Sequence, residues 1–383
     1  MAAAAGGAPA GHVLPVVRQR GAGPVRRAAV TAEASAREVA GSEHVGDRPL
    51  RVGVVGAGLA AGWFVELLRR AGDAECVAVL RAPGGDLDEA ATRLGVRALD
   101  DPDAFYGLGL EAVVVTSPSG LHADHAGMAL ERGCHVLVEK PLTITGAAGE
   151  RLVALAAARD LRLGVVFQRR ADPVFRHVAS AIRDGALGTV VAVGLTLPYH
   201  RGDAYYASAA WRGTWALDGG GVLMNQGIHL LDVLVWWFGD PDDVRAFAAT
   251  QARAVEVEDT AAVALRFGSG PAAGALGTVL ATTASSPGHP HALDVLGTHG
   301  SLRLEGERVV RWDVEGVPAP PASQASDGGA RDPRATDTAN HGRVLADFLA
   351  ALREGRDPLV DGREGLRSLR LVEAIYAGAG LVR

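Results

Sequence analysis

The chain has 383 residues, 48% hydrophobic and 21% charged, and carries a formal net charge of −6. Such a length calls for two domains of about 100–200 residues each, and the composition is that of a globular protein with sizeable cores. A net negative charge with no basic stripe argues against nucleic acid as a partner, and the longest uncharged run, Phe267 to Leu293, is broken by Gly, Pro, Ser and Thr, so no membrane span is expected.

Residues 1–48 are rich in Ala, Gly and Arg without sustained periodicity and read as a disordered leader. From Leu50 the pattern changes. A short apolar strand, Arg51–Val55, runs into Gly56-Ala57-Gly58-Leu59-Ala60-Ala61, after which Trp63, Phe64, Leu67 and Leu68 recur at helical spacing. In that strand–turn–helix context Gly56 permits a tight turn and Gly58 lets the backbone approach a pyrophosphate. Ala61 packs helix on strand, and the helix start at Leu59 and Ala60 faces the phosphate charge. A second strand, Cys76–Leu80, is followed by Arg81, with no acid before Asp86. An acid at that point would bond the ribose of NAD, whereas Arg suits the 2′-phosphate of NADP, so the cofactor is NADP or NAD with a lean to NADP.

A strand at Ala112–Thr116 leads to Ser117-Pro118-Ser119, with His122 within reach of a cofactor ribose at the start of a helix to Arg132. The next strand, His135–Val138, ends in Glu139-Lys140-Pro141, at the edge where open α/β sheets bind ligands. Lys140 stands out further, because every other one of the 38 basic residues is Arg. Arg replaces Lys freely as a solvated charge but not as a compact ammonium of adjustable proton affinity, so a chemical need holds Lys140. Asn is almost as scarce, with only Asn225 and Asn340. The two cysteines, Cys76 and Cys134, lie in apolar segments and suit a reduced, cytoplasmic compartment. Strands alternating with helices predict a parallel sheet covered on both faces.

A helix marked by Leu152, Leu155 and Ala156 and a strand at Leu163–Phe167 complete a first domain over 49–168. The second domain, 169–383, opens with a helix around Phe175–Arg183. Trp211-Arg212-Gly213-Thr214-Trp215 and Gly219-Gly220-Gly221 follow. Asn225, His229 and Asp232 then lie at i, i+4 and i+7, one face of a helix and a site-like polar trio. No second ligand pair at matching spacing supports a metal there. From Val244 to Trp312 the reading is mostly β, including Ala261–Phe267 and Gly274–Ala281, which gives an α+β domain on a large, mainly antiparallel sheet. His289 and His291, in a Pro-rich turn, are expected to be solvated. Residues 316–338 read as an exposed loop. Two helices close the chain and can pack back on the first domain, the second opened by a capping-box-like Asp361 and Glu364.

Taken together these motifs resemble the glucose–fructose oxidoreductase / inositol dehydrogenase / MocA (Gfo/Idh/MocA) family, from about Leu50 to the C-terminus. Glu139-Lys140-Pro141 after the dinucleotide fingerprint is the most specific element; Ser117 to His122 and Gln168-Arg169-Arg170 also fit. The stretch from Trp211 through Asp232 is similar to the branch of UDP-sugar 3-dehydrogenases that act on UDP-N-acetylglucosaminuronate. The resemblance implies an α/β Rossmann domain followed by an α+β domain whose open-faced sheet often forms an oligomer interface. It implies hydride exchange at a secondary hydroxyl of a sugar, nucleotide sugar or inositol, with Lys140 and His229 at the reacting centre. Asn225, Asp232, Trp211, Arg212 and Gln168 would then meet substrate. Gly56, Gly58, Leu59, Ala60, Arg81, Ser117, Pro118, His122, Glu139 and Lys140 would meet the cofactor. There are two departures from the family pattern: Asn225 stands where many members carry Asp, and Leu80-Arg81 lacks the acid common in NAD-preferring members. A nicotinamide-dependent glycosidase and a non-catalytic sugar or dinucleotide sensor are the alternatives, the sensor having no use for Lys140 and His229. The sequence leaves open the direction of reaction and which of the two residues is the base.

Overall fold

The computed structural model describes residues 48–322 and 338–381. The leader, apart from its last residue, and most of the 316–338 loop lie outside the described residues. Six short apolar runs form one parallel sheet: β1 (Leu50–Val55), β2 (Ala74–Leu80), β3 (Ala98–Leu99), β4 (Ala112–Val115), β5 (His135–Glu139) and β6 (Leu163–Val166). Its strand order is β3-β2-β1-β4-β5-β6. Val52, Val54, Val113, Val114, Val136 and Val138 are all buried, because helices cover both faces and leave no polar side to alternate toward. Those helices are α1 (Leu59–Ala71), α2 (Leu87–Leu94), α3 (Pro102–Tyr106), α4 (His122–Glu131) and α5 (Gly146–Ala158). The chain reverses its direction of strand addition between β1 and β4, so the crevice at their carboxyl ends is the place for a ligand.

The second sheet has seven strands: β7 (Val190–Pro198), β8 (Asp243–Ala249), β9 (Thr260–Arg266), β10 (Leu276–Thr282), β11 (Ala292–Gly297), β12 (Gly300–Glu305) and β13 (Arg308–Val314). They are ordered β13-β12-β11-β7-β10-β9-β8, antiparallel except where β10 runs parallel to β7. The antiparallel α+β expectation therefore holds. Strand β9 alternates buried and exposed residues along its length, the mark of a sheet covered on one face. Its helices are α6 (Pro173–Arg183), α7 (Asp203–Ala207) and α8 (Ile228–Phe238), the last apolar nearly all round and buried accordingly. The outward face carries exposed Phe247, Leu276 and Leu280.

The two C-terminal helices, α9 (Ala339–Glu354) and α10 (Gly362–Gly378), tie the sheets together. Val344, Leu345, Phe348 and Leu349 of α9 join the core of the first sheet beside Val52, Val54, Phe64 and Val166. Between the helices the main chain extends the sheet edge, Val165 N–H donating to Val360 O at 2.9 Å. Asp361 caps α10 as expected, accepting the Glu364 N–H at 2.8 Å. Leu366, Leu369, Val372 and Ile375 then pack into the second core. The chain therefore crosses back over the boundary drawn at residue 168. Among the described residues no helix is long and apolar enough to cross a membrane.

One buried ion pair locks this return. Arg170 donates to both carboxylate oxygens of Asp232, at 2.9 and 2.8 Å, and to Glu364 at 2.6 Å, while Ser368 Oγ donates to Asp232 at 2.7 Å. Arg170 and Asp232 are both buried, so without the Asp232 charge the guanidinium keeps only the partly exposed Glu364 as partner. Asp232→Asn is expected to lower the unfolding free energy by about 3–5 kcal/mol, measured by denaturant titration.

Candidate active site

The site starts at the β1–α1 turn. Gly56 has φ 108°, and a Cβ there would meet Thr116 Oγ1 at 2.8 Å, so only glycine lets this turn press against the end of β4. Gly58 differs: a Cβ on it would meet nothing within 4 Å. Helix α1 begins immediately after it with no side-chain cap and no acid in its first turn. Open space in front of uncapped N–H groups is the cradle a pyrophosphate requires.

At the edge of β5, Lys140 Nζ donates to the main-chain carbonyl of Asn225 at 2.8 Å. Burial lowers its proton affinity from that of an ordinary ammonium, against the pull of Glu139 and Asp218. Burial pushes the Glu139 carboxyl up to about 7; one oxygen accepts the Lys140 N–H at 3.2 Å and the other has no partner among the described residues. His229 lies edge-on to Phe167, ring centroids 6.4 Å apart, with Nδ1 buried and unpartnered among the described residues. Burial, with Lys140 and Arg169 nearby, holds His229 well below its ordinary value, so the ring is neutral and can accept a proton.

These groups face one cavity of about 610 Å³, a size typical of small-molecule sites. Gly56, Gly58, Leu59, Ala60, Ser117, Pro118, His122, Glu139, Lys140, Gln168, Trp211, Arg212, Asn225 and His229 all line it. The structure therefore brings these predicted positions together around one cavity. Two expected members are absent from the lining. Asp232 is spent on Arg170, and residues Val222–Gly227 wind more widely than an α-helix before α8 begins, so Asn225 departs from the i, i+4, i+7 face. Arg81 follows β2 as expected, but its guanidinium folds over Gly85 and donates to the Asp86 carbonyl. Arg93 of α2 reaches the glycine turn instead, donating to Ala57 O at 2.7 Å.

His122 also has another duty. Its Nδ1 lies 2.7 Å from Pro141 O and its Nε2 2.9 Å from Ser117 O, so both nitrogens face main-chain carbonyls and none is left for a ribose. With burial pushing it down to about 4, the neutral ring donates to one of the two carbonyls and clips the Ser117 loop to the turn after Lys140.

Other members of the lining were missed. His289 is exposed as expected, but His291 is buried, with Nδ1 2.9 Å from Tyr199 Oη. Asn340 and His341 arrive from α9. A usable signal existed: the sole Lys and both Asn of the chain, Lys140, Asn225 and Asn340, line the same cavity. At one end the Arg212 guanidinium stacks between Tyr205 and Trp211, 4.3 and 4.6 Å from their ring centres, and donates to Tyr205 Oη at 2.7 Å. No carboxylate stands within salt-bridge distance of Arg212 among the described residues. Arg201, 5% exposed, stacks on Tyr199 and on the same Tyr205.

Comparison with known proteins places this geometry. The family model "Oxidoreductase family, NAD-binding Rossmann fold" matches residues 50–167, and that of the GFO/IDH/MocA C-terminal domain matches residues 175–303. The WlbA dehydrogenase of Bordetella pertussis, solved with NADH and UDP-GlcNAcA, is 31% identical, with a TM-score of 0.76 over 87% of this chain and 97% of that one. The D-apiose dehydrogenase of Paraburkholderia graminis is 26% identical over 334 residues, 85% of this chain and 86% of that protein. The NADP(+)-dependent scyllo-inositol 2-dehydrogenase IolW of Bacillus subtilis is 32% identical over 162 residues, 42% of this chain and 43% of that protein.

Burial of a neutral histidine has a thermodynamic signature. His291 is held well below its ordinary 6.5, so on acidification the unfolded chain takes up its proton first and the folded state loses stability below pH 6.5. Glu139 and Glu258, lifted to about 7, act in the opposite sense and flatten the net profile. His291→Gln is therefore expected to reduce the loss of stability below pH 6.5 by about 1.4 kcal/mol per pH unit relative to wild type, read from urea unfolding across pH.

Proposed function

The chain belongs to the Gfo/Idh/MocA family of NAD(P)-dependent dehydrogenases acting on CH–OH groups, and from that premise we propose that it oxidises a secondary alcohol of an acidic nucleotide sugar, or reduces the corresponding ketone, with Lys140 and His229 at the reacting centre. The observation that carries the assignment is a buried ammonium and a neutral, unpartnered imidazole facing one cavity beside an uncapped helix start. The glycine turn from Gly56 to Ala60 would hold the dinucleotide phosphates. When bound, the nicotinamide supplies the hydride acceptor, or the donor in the reverse direction. In the oxidative direction His229 takes the hydroxyl proton as the C–H bond yields its electron pair. Lys140 donates to the same oxygen and steadies the charge that develops on it. Its own lowered proton affinity makes it the alternative base.

The stacked guanidinium of Arg212, which makes no salt bridge among the described residues, supports an acidic substrate, with Arg201 beside it. The UDP-GlcNAcA held by the WlbA enzyme is a ligand of this kind. We read the outward sheet face, with Phe247 84% exposed, as a contact between copies of this chain.

Lys140→Met and His229→Ala are each expected to cut kcat by about 100-fold or more while nicotinamide affinity changes little. Arg212→Leu is expected to raise KM for UDP-N-acetylglucosaminuronate by about 10-fold or more. Steady-state assays of reduced nicotinamide check all three, and its accumulation without sugar release excludes a glycosidase. Near-normal turnover in Lys140→Met would sink the assignment.

For the cofactor we favour NADP over NAD, because Arg81 stands where an acid would repel a 2′-phosphate and Arg93 adds a cation beside Ala57. Arg81 must leave the Asp86 carbonyl to make that contact, so the preference is expected to be about 10-fold. Titrating both cofactors against wild type and Arg81→Asp tests it. The variant should reverse the order; equal NADP affinity in the two proteins returns the assignment to NAD.

A further inference from the structure

Beyond the groups that face the cavity, a buried carboxylate stands behind them. Glu258, 2% exposed, lies just before β9. Its Oε2 accepts the Gly221 N–H at 2.9 Å, and its Oε1 accepts the Leu223 N–H at 3.0 Å and the Tyr376 hydroxyl, from α10, at 2.9 Å. The Glu258 main-chain carbonyl also accepts the Val222 N–H at 3.0 Å. Three consecutive N–H groups at the start of the widely wound turn are thus held by one residue from the segment just before β9. Two glycines make room for the arrangement. A Cβ on Gly221 would sit 1.6 Å from the Glu258 carbonyl oxygen, and one on Gly220, whose φ is 154°, would sit 2.1 Å from the Tyr376 hydroxyl.

We infer that Glu258 and Tyr376 are positioning residues: they fix the turn Val222–Gly227 so that the Asn225 carbonyl meets the Lys140 ammonium and His229 follows at the head of α8. A carboxylate suits the task because it accepts from several donors at once and favours the positive end of the helix it starts. An amide at 258 would turn an N–H toward one of those donors. Tyr376 extends the control to the C-terminal helix, so α10 reaches the reacting centre through one hydroxyl.

The inference rests on the assignment of Lys140 and His229 above only for its bearing on the reaction; the placement of Lys140 can be read without substrate. Because the chain has one lysine, protein labelled with [ε-13C]lysine gives a single NMR signal from Lys140, and its pH titration reports the ammonium. The Asn225 carbonyl favours the charged form, so loosening the turn must lower the Lys140 midpoint further. The shift expected is about one pH unit in Glu258→Gln and a smaller downward shift in Tyr376→Phe, which removes a hydroxyl and no charge. A purely structural role would lower the melting temperature and leave the midpoint in place. An unchanged midpoint in folded Tyr376→Phe overturns the inference, whatever happens to Glu258→Gln, and decides the matter alone if the latter does not fold. Failure of the catalytic assignment is separate, since it appears as full turnover in Lys140→Met.

Discussion

A single hydrogen bond from the Lys140 ammonium to the Asn225 carbonyl joins the two halves of this protein at the proposed reacting centre. An ammonium drawn out of water is costly unless charge and hydrogen-bond acceptors meet it. The surroundings are arranged to that end. Glu139 adjoins it on the same strand, Asp218 lies close enough to favour the charged form, and the turn carrying Asn225 is anchored in turn. Asn225 Nδ2 donates to Asp218 at 2.6 Å, and Asp218 accepts the Gly213 N–H at 2.9 Å. The first domain contributes the lysine and the second contributes its acceptor, so neither half holds this contact alone.

Burial is the common cause of the unusual proton affinities around this contact, and it acts in opposite directions on acids and bases. It lifts Glu139 to about 7 and lowers Lys140 and His229. Near neutrality the cavity therefore sets a neutral His229 imidazole and an ammonium of lowered proton affinity beside a Glu139 carboxyl lifted into the neutral range. The same desolvation strengthens the pull of Arg201 and Arg212 on any anion that enters.

The parts of the fold legible in the sequence were those with one dominant physical signal. β1, β4 and β5 announce themselves because strands buried on both faces become unbroken apolar runs. The Gly56 turn and the Asp361 cap are local chemistry with local causes. Helices α2 and α3 and strand β3 were not read, being too short to display a period. The trio at Asn225, His229 and Asp232 was read on α-helical spacing, and the wide turn at Val222–Gly227 is set by Glu258, a residue more than thirty positions away. Such tertiary anchoring leaves no periodic trace. His291 was misplaced for a similar reason: proline neighbours mark a turn, but only the folded chain reveals that the turn closes over the cavity. The composition holds one further clue in the scarcity of Asn, since both Asn225 and Asn340 line the cavity.

The return of α9 to the first sheet sets the order in which the molecule can be finished on the ribosome. Strand β6 ends at Val166, yet Val344, Leu345, Phe348 and Leu349, which cover one face of that sheet, begin only after Ala339. At roughly 5–20 residues per second, translation leaves the part of that face that α1 does not cover bare for on the order of ten seconds or more. Through that interval the nascent first half presents Val52, Val54 and Phe64 without their partner helix. It is then the kind of surface that chaperones hold and that neighbouring nascent chains can stick to. Completion of the dinucleotide half thus waits for α9, and a stop before Ala339 would release a chain whose earliest domain is unsealed.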